Sequence, residues 1–218
     1  MMVVTDLDKL SDPVSHTDET DHLDVAERLL DTLRSVGGYG LSANQIGVSG
    51  SRTCLVSVKE EVVLVNPRIT SRTGRTQTVE GCLSIPNTRL QTRRNVYVEV
   101  DADQWMKPQW GELRPFDGKC LRFGPDEWGE AQEQDDEIKR IDKDYIESIA
   151  VQHEIDHLNG KTIYDRQIER QPYEKSDLER LGRNDKVEVR NADGEEFDVK
   201  WKYAKKHDDW TVLDVLDT

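Results

Sequence analysis

The first strong periodic pattern of apolar positions lies within residues 16–36 and predicts an amphipathic helix. Its apolar residues recur three or four positions apart among acids and arginines: Leu23, Ala26, Leu29, Leu30 and Leu33. Thr17 or Asp18 is the expected N-cap. The helix should end at Gly37-Gly38, because glycine adopts the left-handed C-terminal conformation without steric cost.

A second helical stripe lies in the last third of the chain. The positions on its apolar side are Ile146, Ile149, Ala150, His153 and His157. Asp142 or Asp144 is the expected cap, and Asn159-Gly160 should end the helix. Two histidines are therefore predicted on the apolar side of this helix.

Short β-branched segments predict antiparallel strands between the two helices. Residues 53–58 and 62–66 are predicted to pair as a hairpin, and residues 76–80 and 95–100 are two further strands. Residues 101–139 are rich in Trp, Pro, Gly and acids. They are predicted to form an insertion-like loop that contains a short strand at 120–123.

A strand pattern returns near the C-terminus. Residues 186–190, a turn at 191–194 and residues 197–203 predict a hairpin. One face of it would carry Phe197, Val199, Trp201 and Tyr203. We expect this face to be buried on a sheet of the same chain. The alternative is a docking surface whose lysines meet phosphate: Lys200, Lys202, Lys205 and Lys206.

Together these elements predict an α+β fold, with antiparallel β-sheets around the second helix and the first helix covering one side. The chain is predicted to divide into a main domain, residues 1–182, and a β-rich extension, residues 183–218. The hairpin belongs to that extension.

Composition narrows the class of protein. The 218 residues hold 30 basic and 44 acidic side chains, a net charge of −14, which disfavours direct nucleic-acid specificity and binding to anionic membranes. No apolar run approaches the about 20 residues of a membrane-spanning helix. Three cysteines do not make a disulfide framework, and the N-terminus shows no targeting signal. We therefore expect a cytoplasmic protein.

The segment His153-Glu-Ile-Asp-His157 matches the metal-binding pattern H-E-x-x-H. On a helix, side chains four residues apart differ in direction by only about 40°, so both imidazoles can reach one metal ion. Glu154 lies on a neighbouring face, where it can approach a water molecule and act as a general base. We predict His153 and His157 as ligands and Glu154 as the acid/base.

A catalytic site of this kind needs a third protein ligand. The metzincin pattern would require a histidine where this chain has Ile163. Glu174 or Glu179 could complete a zinc endopeptidase, whereas Cys82 offers a thiolate. In a non-enzymatic alternative, a structural metal would take a fourth ligand from Cys54 or Cys120.

Three separated segments resemble the signature motifs of the peptide deformylases, in the order of that family. They are Gly38-Tyr-Gly-Leu-Ser-Ala-Asn-Gln-Ile-Gly47, Glu80-Gly-Cys-Leu-Ser84 and Gln152-His-Glu-Ile-Asp-His157. The resemblance spans residues 23–164, with 101–139 longer than is usual in the family. It implies a cytoplasmic metal-dependent hydrolase that removes the formyl group from the N-terminal formylmethionine of nascent polypeptides. Residues 1–182 would be its catalytic domain.

The resemblance also implies a role for each matched residue. Cys82, His153 and His157 would bind Fe²⁺, for which Zn²⁺, Ni²⁺ or Co²⁺ can substitute. Glu154 would be the acid/base, and the Gln45 side chain and Leu83 amide would bind the formyl oxygen. Substrate contacts are implied at Gly38, Tyr39, Gly40, Leu41, Gly81, Ile149 and Ala150.

Other features of the family carry over in part. Glu80 and Arg94 resemble a pair that braces the cysteine loop. Ser42 and Asn44 stand where Ala and Pro are usual, and Tyr39 replaces an Ile or Val beside the methionine pocket. The implied partners are formylated nascent peptides and the ribosome near its exit tunnel, with no membrane partner.

Overall fold

The computed structural model describes residues 3–10, 12–15, 20–116, 118, 120–125, 143–168, 175–179 and 181–216. The chain divides into two compact units, residues 1–168 and 169–218. The boundary between the units follows residue 168, whereas the sequence pattern predicted a boundary after residue 182.

The helices of the described residues are α1 (Leu7–Leu10), α2 (His22–Val36), α3 (Lys143–Leu158) and α4 (Trp201–Ala204). None of them combines the length and the apolar composition that crossing a membrane requires. Short 3₁₀ helices lie at Ala43–Ile46, Pro108–Trp110, Ile163–Arg166 and Lys175–Leu178.

Helix α2 begins later than its periodic pattern suggested. The Asp21 carboxylate accepts hydrogen bonds from the backbone N–H groups of Leu23 and Asp24, at 3.0 and 3.2 Å, so Asp21 is the N-cap. The predicted caps Thr17 and Asp18 fall outside the described residues. The predicted end is confirmed, since the Gly37 N–H donates to the Leu33 carbonyl oxygen at 2.8 Å.

The strands, in chain order, are β1 (Gly40–Ser42), β2 (Thr53–Ser57), β3 (Glu61–Val65), β4 (Arg68–Thr73), β5 (Thr76–Cys82), β6 (Ile85–Arg94), β7 (Tyr97–Asp101), β8 (Gln104–Met106), β9 (Arg114–Pro115), β10 (Leu121–Phe123), β11 (Lys186–Arg190), β12 (Glu196–Lys200) and β13 (Thr211–Leu216). They form antiparallel sheets in the orders β1-β2-β3-β8-β9, β10-β7-β4, β5-β6 and β12-β11-β13. The sequence pattern missed β4 and β6, which are rich in Arg, Thr and Gln and lack a clear apolar alternation.

The largest sheet lies between α2 and α3. Because successive residues of a strand point to opposite faces, β2 contributes to two cores. Cys54 and Val56 join the core beneath α3, which also holds Leu64, Val98, Val151, Ile155 and Leu158. Leu55 joins the core beneath α2, which also holds Leu29, Leu33, Leu41 and Val63. Helix α3 is thereby buried against the sheet that carries β1.

Residues 101–139 contain more regular structure than the predicted loop. Strand β8 pairs with β3, and β9 pairs with β8, so both extend the largest sheet. The rings of Trp105 and Trp110 meet edge to face, with centroids 4.7 Å apart. Strand β10 lies where the short strand was predicted. Residues 117, 119 and 126–142, which include the predicted cap Asp142, are outside the described residues, and Asp144 is already inside α3.

The second unit is a small sheet with its own apolar core. Strands β11 and β12 pair antiparallel across the turn at residues 191–194, and β13 pairs with the other edge of β11. Trp201 and Tyr203 were predicted on a strand, but they lie in α4, which begins where the β11–β12 ladder ends with the hydrogen bond from the Trp201 N–H to the Asp185 carbonyl oxygen at 2.7 Å. The core contains Leu178, Val187, Val189, Trp201, Ala204 and Val212. Phe197 and Val199 therefore pack within this unit.

Candidate active site

Cys82, His153 and His157 bring three metal-binding atoms together. The Cys82 Sγ lies 3.2 Å from the His157 Nε2, which lies 3.1 Å from the His153 Nε2. All three ligand atoms are within 4.8 Å of one another. Cys82 is the last residue of β5, and α3 presents its histidines one turn apart. A thiolate with two imidazoles is a donor set that suits zinc or iron.

The electrostatics of this cluster fit a bound cation. Burial and the neighbouring charge of His153 lower the pKa of His157 to about 3, so its imidazole is neutral, as a ligand must be. Burial disfavours a charged His153, but hydrogen bonds with Cys82 and Glu80 and the charge of Glu154 raise its pKa well above the ordinary value. The negative groups around His153 that stabilise a proton on its ring would also stabilise the positive charge of a divalent metal ion.

Glu80 contacts the imidazole nitrogen of His153 that lies away from the cluster and so orients the ring. Its Oε2 lies 2.8 Å from the His153 Nδ1, and a proton on that nitrogen leaves Nε2 free to bind a metal. Burial by itself would raise the pKa of Glu80, but hydrogen bonds and charge from His153 and Arg94 lower it to about 2. The Arg94 guanidinium donates to both Glu80 oxygens, at 2.6 and 3.0 Å. The implied Glu80–Arg94 pair is thus in direct contact.

Sequence reasoning missed the continuation of this network. Arg94 also donates to Asp156, which accepts two more hydrogen bonds from Arg166, at 2.8 and 2.5 Å. Burial opposes the charge of Asp156, yet the two arginines lower its pKa below the ordinary value. The one available signal was Asp156 itself, a charged residue within a helix that packs into a core, where it needs a partner.

Glu154 is buried beside β1 and is 3% exposed. Burial raises the pKa of Glu154 to about 7, against the opposing charge of His153 and a hydrogen bond from Ser42. Its Oε2 has no hydrogen-bond partner among the described residues. A Cβ added to Gly40 would lie 2.6 Å from the Glu154 Oε1, so the backbone of β1 passes directly against this carboxylate.

Gln45 is held with its amide nitrogen toward the metal-ligand cluster. Its Oε1 accepts hydrogen bonds from the Ser42 N–H and the Ser42 hydroxyl, both at 2.9 Å. Its Nε2 donates to the Ser84 Oγ at 3.2 Å and to the Cys82 Sγ at 3.7 Å. The neighbouring Asn44 donates to the His157 carbonyl oxygen at 2.8 Å. The first motif is thereby tied to the other two.

The predicted substrate contacts fall into two groups. Leu83 is half exposed at the turn between β5 and β6, and a Cβ on Gly38 would lie 3.3 Å from its side chain. Tyr39, on the same segment as Gly38, is 58% exposed. In contrast, the Leu41 and Ala150 side chains lie in the two cores, so these residues can offer a substrate only their backbone. Ile149 is buried and Gly81 is exposed.

The other ligand candidates lie elsewhere. Cys54 is buried in the core, which raises the pKa of its thiol, and Cys120 is exposed. Glu179 is exposed in the second unit, and Glu174 is outside the described residues. Within the described part of the chain, the cluster consists of Cys82, His153 and His157 without a fourth Cys, His, Asp or Glu ligand. Such a cluster has room for water or substrate.

A sequence profile of the polypeptide deformylase family matches residues 4–114 and 129–173. The chain belongs to the peptide deformylase family. The predicted family and the predicted activity, hydrolysis of the N-formyl group of nascent polypeptides, are therefore confirmed. The match omits residues 115–128, a shorter segment than the predicted insertion at 101–139. The endopeptidase and structural-metal hypotheses gain no support.

Two peptide deformylases illustrate the relationship. That of Pseudoalteromonas translucida (strain TAC 125) is 30% identical over 160 residues, which cover 72% of this chain and 77% of that protein. That of Alkalilimnicola ehrlichii is 30% identical over 195 residues, which cover 86% of this chain and 92% of that protein.

Solved peptide deformylases share the fold of helices and antiparallel sheets. The class I type b enzyme from Acinetobacter baumannii is 25% identical, with a TM-score of 0.55, and the match covers 76% of this chain and 98% of that one. The enzyme from Thermus thermophilus is also 25% identical, with a TM-score of 0.56, covering 77% and 84%. The predicted α+β class, a fold of helices and antiparallel sheets, is confirmed.

Proposed function

We propose that Cys82, His153 and His157 hold the catalytic metal ion of this deformylase and that Glu154 is its acid/base. The observation that carries the proposal is the convergence of three ligand atoms within 4.8 Å of one another. Glu154, with an unpartnered buried oxygen, and the Gln45 amide lie on the flanks of this cluster. The substrate is the formylated N-terminus of a nascent polypeptide.

We propose Fe²⁺ as the usual metal, with Zn²⁺, Ni²⁺ or Co²⁺ able to occupy the same ligands. The ion supplies an activated water for attack on the formyl carbon. The thiolate of Cys82 and the neutral imidazole of His157 suit each of these metals. With a proton on Nδ1 donated to Glu80, His153 would hold the ion through Nε2.

Glu154 moves the proton of the reaction. Burial raises the pKa of Glu154, which favours acceptance of a proton by this carboxylate. Its Oε2 is the oxygen available for this transfer, because it has no partner among the described residues. The proton passes from the attacking water to Glu154 and then to the departing amine.

Gln45 and Leu83 stabilise the developing charge on the formyl oxygen. The Gln45 Oε1 is occupied by Ser42, so its Nε2 is the end that faces the reaction. The Leu83 backbone N–H follows directly after Cys82 in the sequence and is proposed as the second donor. Loss of one such donor typically lowers turnover by about 10²- to 10³-fold.

The site is proposed to accept formyl and reject larger acyl groups. The space above Glu154 is limited by the backbone at Gly40, where even one methyl group would overlap the carboxylate. A formyl group has hydrogen where larger acyl groups have a carbon substituent, so it fits this space. Tyr39 and Leu83 remain exposed and can contact the methionine side chain.

We further propose that the enzyme works in the cytoplasm on chains that emerge from the ribosome. The free cysteines Cys54, Cys82 and Cys120 support a reducing compartment. The substrate class supports proximity to protein synthesis.

The test is deformylation of formyl-Met-Ala-Ser by the full-length protein, followed as release of the free amine. Activity should vanish with a chelator and return with Fe²⁺ or Ni²⁺, and acetyl-Met-Ala-Ser should remain intact. Cleavage of internal peptide bonds without deformylation would contradict the proposal.

Two variants separate the roles of neighbouring residues. Glu154→Ala should abolish turnover with the metal still bound, because this carboxylate carries a proton and is not a ligand. His153→Ala should lose both the metal and the activity. Loss of metal in the Glu154 variant would show that the roles are wrongly divided.

A further inference from the structure

The second unit contains a basic pocket that the deformylase reaction does not use. Its volume is about 320 Å³, and its lining residues are Arg183, Lys202, Tyr203, Lys205 and Lys206. Four cations surround one aromatic ring, and none of the lining residues is acidic. This concentration of positive charge stands out in a chain with a net charge of −14.

The local fold directs these side chains outward. Trp201 and Ala204 of α4 are buried in the core of the unit, so the residues between and after them point toward solvent. The Lys202 N–H donates to the Arg183 carbonyl oxygen at 3.2 Å, which joins α4 to the segment that precedes β11. A backbone hydrogen bond thus holds Arg183 beside the lysines of α4 and of the residues that follow it.

Tyr203 supplies an exposed aromatic surface within this charge. It is 51% exposed, and the Lys202 Nζ lies 5.1 Å from its ring centroid. In the described part of the second unit, the ion pair observed is Arg190–Glu196, and it leaves the four pocket cations without a carboxylate partner. Their charge is available to a ligand.

We infer that this pocket binds single-stranded RNA, with the cations on phosphates and Tyr203 stacked on a base. Cationic grooves with exposed aromatic rings bind single strands in this way, with little sequence preference. The overall negative charge does not prevent it, because salt limits electrostatic interactions to about 8–10 Å. The choice of RNA rests on the proposed function, since nascent polypeptides emerge from an RNA-rich particle.

The binding test uses the full-length, metal-loaded protein and a fluorescein-labelled oligouridine of about 12 nucleotides, followed by fluorescence anisotropy at about 50 mM salt. Lys205→Glu/Lys206→Glu should weaken binding at least about tenfold and reduce the salt slope by about 1.4, for two lost phosphate contacts. Tyr203→Ala should weaken binding about fivefold or more, and Tyr203→Phe should not.

The matched control is Lys186→Glu/Lys200→Glu. These lysines face each other across β11 and β12 in the same unit, are exposed and do not line the pocket. The total charge change is identical, so only the position differs. This control should weaken binding by less than about threefold.

Several results would overturn the inference. They are absence of saturable binding by the unmodified protein, equal weakening by both double variants, and equal or tighter binding of polyglutamate or anionic vesicles. Thermal melts establish that each variant is folded. Deformylation of formyl-Met-Ala-Ser, measured on the same samples, should be unchanged, and its absence from the unmodified protein would contradict the proposed function alone.

Discussion

Glu80, Glu154 and Asp156 are the buried acids among the described residues, and their surroundings divide them into two kinds. Glu80 and Asp156 each form ion pairs with Arg94, which keep them ionised. Glu154 has no arginine or lysine partner in the described part of the chain, and burial raises its pKa to about 7. The same side-chain chemistry therefore serves structure at two positions and, in the proposed mechanism, proton transfer at the third.

Gly40→Ala tests the close approach of β1 to Glu154. The added methyl group would lie 2.6 Å from the Glu154 Oε1, which must move from its position. We expect kcat for formyl-Met-Ala-Ser to fall at least about 100-fold, the size of a general acid–base contribution. Metal content, measured by mass spectrometry, should remain at one ion per chain.

Gly81→Ala is the steric control for this prediction. A Cβ there would lie 3.7 Å from the Thr88 carbonyl oxygen, an ordinary contact. Its melting temperature and metal content should match those of the unmodified protein. If Gly40→Ala keeps full turnover, the carboxylate does not depend on the space beside β1.

Among the elements, α3 is held at its C-terminal end by groups from distant segments. The Arg52 guanidinium donates to the carbonyl oxygens of Val14 and Leu158, at 3.1 and 2.8 Å. Asn44 donates to the neighbouring carbonyl oxygen of His157. In the last turn of the helix, Asp156 accepts from Arg94 of β6, which also donates to Glu80 of β5. The proposed metal ligands of α3 are thus fixed relative to the strand that carries Cys82.

Arg94→Ala should destabilise the protein strongly. It leaves Glu80 buried without its arginine partner and removes one of the two arginines that bind Asp156, and breaking a buried ionic network in this way costs about 3–5 kcal/mol. For a chain of this size the melting temperature should fall by about 10 °C, measured by differential scanning calorimetry. Arg94→Lys, which retains the charge, should lose less.

Arg34→Ala provides the comparison for that measurement. Arg34 pairs with Glu61 at 2.6 Å, but the Arg34 side chain is exposed, and exposed pairs contribute little to stability. Its melting temperature should be nearly that of the unmodified protein. Equal melting temperatures for the Arg34 and Arg94 variants would contradict a stabilising role for the buried network.

At the scale of the whole molecule, the catalytic groups and the basic pocket belong to different compact units. Every proposed metal ligand and catalytic residue lies within residues 1–168, together with the two cores on either side of the largest sheet. Residues 169–218 have a separate core of their own. Deformylation of short peptides should therefore depend on the first unit alone.

Truncation after Ile168 tests this division. The shortened chain should hold one metal ion and deformylate formyl-Met-Ala-Ser with kcat/KM within about twofold, since no catalytic group is removed. Binding of oligouridine should be lost. If the truncated chain folds but fails to hold the metal, the second unit contributes to the site.

The sequence alone determined the features that depend on near neighbours. The spacing of Leu29, Leu33 and the other apolar residues of that segment predicted α2, because helical periodicity is a local property. His153 and His157 could be paired because four residues make about one helical turn. The hairpin of β2 and β3 could be predicted because its two strands are adjacent in the sequence.

The tertiary structure decided the features that join distant segments. Cys82 meets His157 across 75 positions, and Arg94 meets Asp156 across 62. Strand β8 joins the sheet although its own segment has the composition of a loop. These outcomes depend on how apolar faces pack and on which buried charges find partners, and neither is encoded in the spacing of neighbouring residues.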